Sequence, residues 1–168
     1  MKWSQLRHRL KGRIAPCLVG VDVHQTRYRH AHDQEGEFWV TVGSERIFSA
    51  GSSSYLSSLG KRAAENRHQG ATPRQAFEQA WQVVGASGLM LLEQINKDLF
   101  TSLNQTVEQM LAHDNPVIRA LGIIDARYGK RRLAAFDPAN EHVLVQRLFD
   151  LRCKAEGITI PASTLIVN

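Results

Sequence analysis

The chain has 168 residues, 43% of them hydrophobic and 22% charged, with a net charge of +5 and only two cysteines. That length suits one domain with a real core, and the composition excludes wholesale disorder, a disulfide framework and a paired Cys-x-x-Cys zinc site. No apolar run approaches the ~20 residues that span a bilayer, and the basic start lacks the apolar core of a secretory leader, so a cytoplasmic protein is expected.

The charge is unevenly spread. Residues 1–13 carry +5 and residues 119–132 carry +4, which leaves −4 on the rest. Two basic segments on a mildly acidic body form one basic face if the fold brings them together, and such a face attracts nucleic acid or an acidic protein. They are expected to lie side by side.

Trp3, Leu6, Leu10 and Ile14 share one stripe of a first helix that Pro16 stops, and this stripe is expected to cover a sheet. From Val19 the period becomes two. Val19, Val21 and Val23 share a strand face, and either the strand leaves the core after Val23 or a bulge near His24 and Gln25 swaps its faces; the bulge is favoured because it returns Tyr28 inward. Asp33-Gln34-Glu35-Gly36 and Gly43-Ser44-Glu45 then turn the chain through Phe38–Val42 into Arg46–Ser49, which makes a three-stranded antiparallel meander.

A loop at 50–54 caps a short helix ending near His68 to Gly70. Thr72-Pro73-Arg74-Gln75 is a capping box with proline at the first helical position, and the helix it opens is expected to bury Ala76, Phe77, Ala80, Trp81 and Val84. Gly85 to Gly88 interrupts it. Leu89, Leu92, Ile95, Leu99, Leu103, Val107 and Met110 then trace a long stripe, read as core or, alternatively, as a homodimer seam over 89–110.

Asn115-Pro116 opens a further helix carrying Val117, Ile118, Leu121 and Ile124. Gly129 is placed just past its end, with the cations after it opposing the negative end of the helix dipole. Asp137-Pro138 restarts a helix that Gly157 ends in a Schellman turn with Ile158. The apolar tail 158–168 must pack on its own domain or on another chain.

The expected fold is therefore α+β, a single domain over 1–168. It holds an N-terminal helix and three-stranded antiparallel meander at about 1–50, about five helices over 52–157, and the tail.

Two constellations carry possible chemistry. Arg127, Lys130, Arg131 and Arg132, with Arg27 and Arg29, present forks and point charges suited to phosphate, and Tyr28, Trp39 and Tyr128 are interleaved aromatics suited to stacking. His30 and His32 fall on one strand face about 7 Å apart, so with Asp33 they form an alternative metal site for a hydrolase or nuclease. No cofactor is expected, since no phosphate loop with its lysine, no Gly-x-Gly-x-x-Gly turn and no serine elbow occurs.

The start Trp3-Ser4-Gln5-Leu6-Arg7 recurs in a family of uncharacterised bacterial proteins, together with Thr26-x-Tyr28-Arg29, Gly36, Trp39-Val40-Thr41-Val42, Asp125-x-Arg127-x-Gly129-Lys130-Arg131-Arg132-Leu133, His142 and Leu151-Arg152. The chain resembles that family, which has no established activity. The resemblance implies that the hairpin and the basic turn belong to one unit, and it implies no mechanism. The leading expectation is a non-catalytic binding module with a basic face; an oligomeric interaction protein is the third reading, using the 89–110 stripe or the tail.

Overall fold

A computed structural model describes residues 1–27 and 36–159. Its elements run α1 (Trp3–Lys11), β1 (Val21–Arg27), β2 (Gly36–Val42), β3 (Glu45–Gly51), α2 (Ser52–His68), α3 (Pro73–Ala86), α4 (Leu92–Ser102), α5 (Val107–Leu111), α6 (Pro116–Ile124), α7 (Lys130–Ala134) and α8 (Val143–Glu156). This is an α+β protein in which an N-terminal helix and an antiparallel meander of order β1-β2-β3 precede the remaining helices. The helical part is divided more finely than the expected five.

One apolar cluster joins α1, the inner face of the sheet and α4 to α8. Alternation places Val21 and Val23 of β1 with Phe38 and Val40 of β2 in that cluster, while His24 and Trp39 stack on the opposite face at 5.3 Å between ring centroids. The bulge expected near His24 and Gln25 is instead in the other ladder, between Val40 and Thr41 where β2 meets β3; β1 pairs with β2 in unbroken register from Val21 to Arg27. The row Val21, Val23, Gln25, Arg27 therefore stays on one face and leaves the core at its far end. Val19 lies before the strand and is 93% exposed.

Gly36 faces Arg27 in this ladder, and a Cβ there would stand 2.6 Å from the Leu92 side chain and 2.2 Å from the Thr26 carbonyl oxygen. Lack of a side chain lets the first turn of α4 close against the sheet end. The long stripe is not one helix: α4 ends at Ser102, and the Thr106 hydroxyl caps a new start at α5. Leu92, Ile95, Leu99, Leu103, Val107 and Met110 are all buried within the chain, so this stripe is already covered.

Three further expectations change. Phe77 and Trp81 are exposed, because α3 turns Ala76, Ala80 and Val84 inward and packs against α2 through small side chains. Gly129 has φ −68° and is the N-cap of α7, since α6 stops four residues earlier at Asp125. Asp137-Pro138 opens no helix: the Asp137 carboxylate accepts from the Ala139 N–H in a local turn, and α8 begins later, capped by His142 Nδ1 accepting from the Leu144 N–H. Gly157, at φ +69°, does end α8 as expected, with the Ile158 N–H donating to the Cys153 carbonyl at 2.8 Å.

Candidate functional site

The two basic segments do meet. Ala15 N–H donates to the Ile124 carbonyl at 2.8 Å, Ala126 N–H donates to the Arg13 carbonyl at 2.7 Å, and Ile14 bridges Asp125. The chain leaving α1 thus runs antiparallel to the corner between α6 and α7.

The corner is largely neutralised from within. The Asp125 carboxylate, 2% exposed, accepts from the Arg127 backbone N–H at 2.9 Å and from Arg127 Nε and Nη2 at 2.9 and 2.7 Å. This bidentate pair raises the Arg127 pKa, with the hydrogen bonds from its guanidinium to Asp125 the leading cause. Lys130 Nζ meets Glu156 at 3.0 Å and holds that carboxyl below its ordinary range through the hydrogen bond. Arg132 pairs with Glu108, lies over the Tyr128 ring at 5.2 Å and donates to the Arg127 carbonyl at 2.7 Å. Arg131 alone of the four is exposed without a carboxylate partner among the described residues.

Arg152 closes the corner from beneath. It is 2% exposed, and its two terminal nitrogens donate at 2.6 Å to the carbonyls of Ile123, Asp125 and Tyr128. Those carbonyls belong to the last turn of α6 and the loop after it, which have no helical donors. Arg13 does the same for α4, donating to the carbonyls of Ser102 and Leu103. Burial and the nearby Arg127 lower the Arg13 pKa. The arginine-rich stretch is therefore a joint between helices.

The α1 cations divide. Arg7 and Lys11 both hold Asp22, at 2.6 and 2.8 Å. Burial opposes ionisation of this carboxyl, yet the two cations and the Val23 N–H outweigh it and set the Asp22 pKa at about 2. The hollow of about 440 Å³ between the end of α1 and the sheet is lined by this saturated carboxylate and by His24, whose Nε2 is 3.0 Å from the Thr41 hydroxyl. The exposed Cys17 thiol is pushed up by burial and by Glu156, which leaves it a poor nucleophile.

What remains open is a groove where the β1 row leaves the core. It has a volume of about 630 Å³ between α1, β1 and α4, with Lys2, Arg27 and Lys97 exposed among its walls and Glu93 as its one acid among the described residues. Gln25, Asn96, Trp3 and Phe100 also line it. Phe100 is 47% exposed, whereas Trp3 sets its edge against Phe38 at 6.3 Å between centroids. Gln25 Oε1 and Asn96 Nδ2 are buried without a hydrogen-bond partner among the described residues, one acceptor and one donor beneath the groove.

Of the residues singled out from sequence, Arg27 lies in this groove and Arg127, Lys130, Arg131 and Arg132 form the separate corner. Arg29, His30, His32 and Asp33 lie outside the described residues, as does Tyr28. No group of three metal-ligating side chains is found among the described residues. Trp39 is flanked by the His24 ring and by Arg46, 4.4 Å from its centroid, and Tyr128 is buried, so neither offers a free stacking face. Sequence reasoning missed Lys97, Asn96 and Phe100, because the outward face of α4 reads as an ordinary solvated stripe. The signal was the parity of Gln25 and Arg27 with Val21 and Val23, which aims two polar side chains along the core face.

The fold defines a small α+β protein whose sheet is covered on one face by helices and opens at its end into a cationic groove. Residues 2–153 match the SF0329 protein family, and the chain belongs to it. No curated protein and no solved structure matches the chain significantly. No helix among the described residues is long and apolar enough to cross a membrane.

Proposed function

We propose that the protein is a non-catalytic binding module for single-stranded nucleic acid, which it takes into the groove between α1, β1 and α4. The observation that carries this is the contrast in charge. Arg127, Lys130 and Arg132 are matched by Asp125, Glu156 and Glu108, while among the described residues the groove holds Lys2, Arg27 and Lys97 against Glu93 alone. Unmatched cations set along a groove draw in a phosphate backbone and release its counterions.

Phe100 favours single strands over duplex. Its ring is half-exposed within the groove, and base stacking on such a ring is worth about 1–3 kcal/mol without regard to sequence. A volume near 630 Å³ takes about one or two nucleotides, whereas a duplex presents its bases only at groove edges. The basic face thus sits at the sheet end, one cation of which, Arg27, is named by the sequence.

Titration of fluorescent single-stranded and duplex oligonucleotides at two salt concentrations tests the proposal. Binding is expected to be tighter for the single strand and to weaken as salt rises; no binding at low salt, or binding insensitive to salt, refutes it.

A further inference from the structure

Not every cation of the N-terminal segment is consumed by the fold. Arg7 and Lys11 hold Asp22, and Arg13, just past the helix, donates to the carbonyls that end α4. Lys2, His8 and Arg9 are exposed and meet no carboxylate among the described residues. Lys2 stands in the wall of the groove, whereas His8 and Arg9 lie on the outward side of α1, away from Trp3, Leu6 and Leu10, which face the core.

That outward side carries a second hollow. It has a volume of about 520 Å³ and is lined by Met1, Ser4, Gln5, His8 and Arg9, none of them acidic. Spacing of four sets Ser4 beside His8 and Gln5 beside Arg9, so two neighbouring rows of the helix form its floor. Met1 lines this hollow and the groove alike and is 59% exposed, so it stands where the two meet.

We infer that the strand held in the groove continues past Met1 into this second hollow, where Arg9 takes its next phosphate. The inference rests on the groove as a site for single-stranded nucleic acid and extends its path. The hollow offers what a phosphate needs. The Arg9 guanidinium is a fork of donors, and the Ser4 hydroxyl adds another. Gln5 Oε1 already accepts from the Lys2 N–H at 3.3 Å, which leaves the Gln5 amide nitrogen as a third donor. No residue of α1 is acidic, so nothing on this helix repels the backbone. At the joint, the unbranched thioether of Met1 adapts its shape to whichever base lies against it. A strand confined to the groove would end at Met1 after about two nucleotides, whereas the two hollows together take about four.

Titration of the full chain with oligothymidylates of two, four and six nucleotides at low and moderate salt tests this. Affinity is expected to rise at least about tenfold from two nucleotides to four and then to level off. Arg9→Gln, a neutral change at an exposed helical position, is expected to remove that gain and to lower the salt slope for the hexamer by about 1, while binding of the dimer stays within about twofold. Arg131→Gln removes an exposed cation of the corner, away from both hollows, and is expected to leave the length dependence as it is. Full affinity already at two nucleotides, a gain that Arg9→Gln leaves intact, or a gain that Arg131→Gln removes equally overturns the inference and leaves the groove standing. Absence of binding at every length overturns both.

Discussion

Arg152 and Asp125 meet inside the helical half through the backbone: Arg152 Nη1 donates to the Asp125 carbonyl at 2.6 Å while the Asp125 carboxylate points the other way and grips Arg127. Two charges, each 2% exposed, thereby fix the loop between α6 and α7 from both sides. The consequence is that the most basic stretch of the sequence is held by the fold.

Replacing Arg152 by methionine keeps the bulk of the side chain and strips the Ile123 and Tyr128 carbonyls of their donor, while the Asp125 carbonyl keeps the Tyr128 N–H at 2.9 Å. Each orphaned buried acceptor costs about 1–3 kcal/mol, so urea unfolding is expected to show a loss of about 2 kcal/mol or more. A loss under about 1 kcal/mol would mean that the corner closes without Arg152.

Asp22 predicts an acid limb of stability. Its folded pKa, about 2, lies below the ordinary aspartate value of 3.8, so it stabilises the folded state fully above about pH 4 and loses that contribution as pH falls through about 2. Its side chain is 18% exposed, and the shift corresponds to about 2 kcal/mol. Asp22→Asn is expected to remove that much at pH 7 and to flatten the stability curve between about pH 4 and 2, measured by denaturation at each pH.

His142 joins the end of α3 to the start of α8. Because Nδ1 accepts from the Leu144 N–H, the proton sits on Nε2, which donates to the Ser87 carbonyl at 2.9 Å. His142→Ala is expected to cost about 1–2 kcal/mol, and His142→Asn, which restores the cap alone, about half of that. Equal losses in a thermal melt would place the whole effect in the bond to Ser87.

Gly36→Ala tests how α4 is set against the sheet. The new methyl would meet the Thr26 carbonyl oxygen at 2.2 Å, and backbone cannot yield as a flexible side chain can. Destabilisation of about 2 kcal/mol or more is expected, together with weaker oligonucleotide binding because the groove wall on α4 moves. Binding retained at full strength in a destabilised variant would separate the groove from this contact.

Much of the layout is legible in the residues. Thr72 and Gln75 form the box that their spacing announces, Gly157 ends α8 with Ile158 in the expected bond, and the alternating strands give the meander. These signals are local, and local geometry suffices to decide them. What fails needs knowledge of the partner surface. Periodicity marks Phe77 and Trp81 as apolar but cannot say whether α2 or another chain covers them. Gly129 suits either end of a helix, and only the early stop at Asp125 makes it a start. The candidate site is harder still. Arg127 and Lys130 carry charges that sequence counts; the Arg127–Asp125 pair, two positions apart, is local and legible, whereas neutralisation of Lys130 by Glu156 depends on a tertiary contact across 26 positions. Lys97 and Arg27 are far apart along the chain and share a groove where α4 closes on the sheet end, an approach that Gly36 permits by leaving room for Leu92.

The central claim, that anion affinity resides in the groove and not in the corner, is tested most directly by comparing two charge reversals in one salt-dependent titration with a single-stranded oligonucleotide. Arg27→Glu with Lys97→Glu is expected to weaken binding at least about tenfold and to reduce the salt slope by roughly 1–2, while Arg131→Glu changes affinity less than about twofold. Loss of binding in Arg131→Glu with affinity preserved in the groove variant would contradict the account.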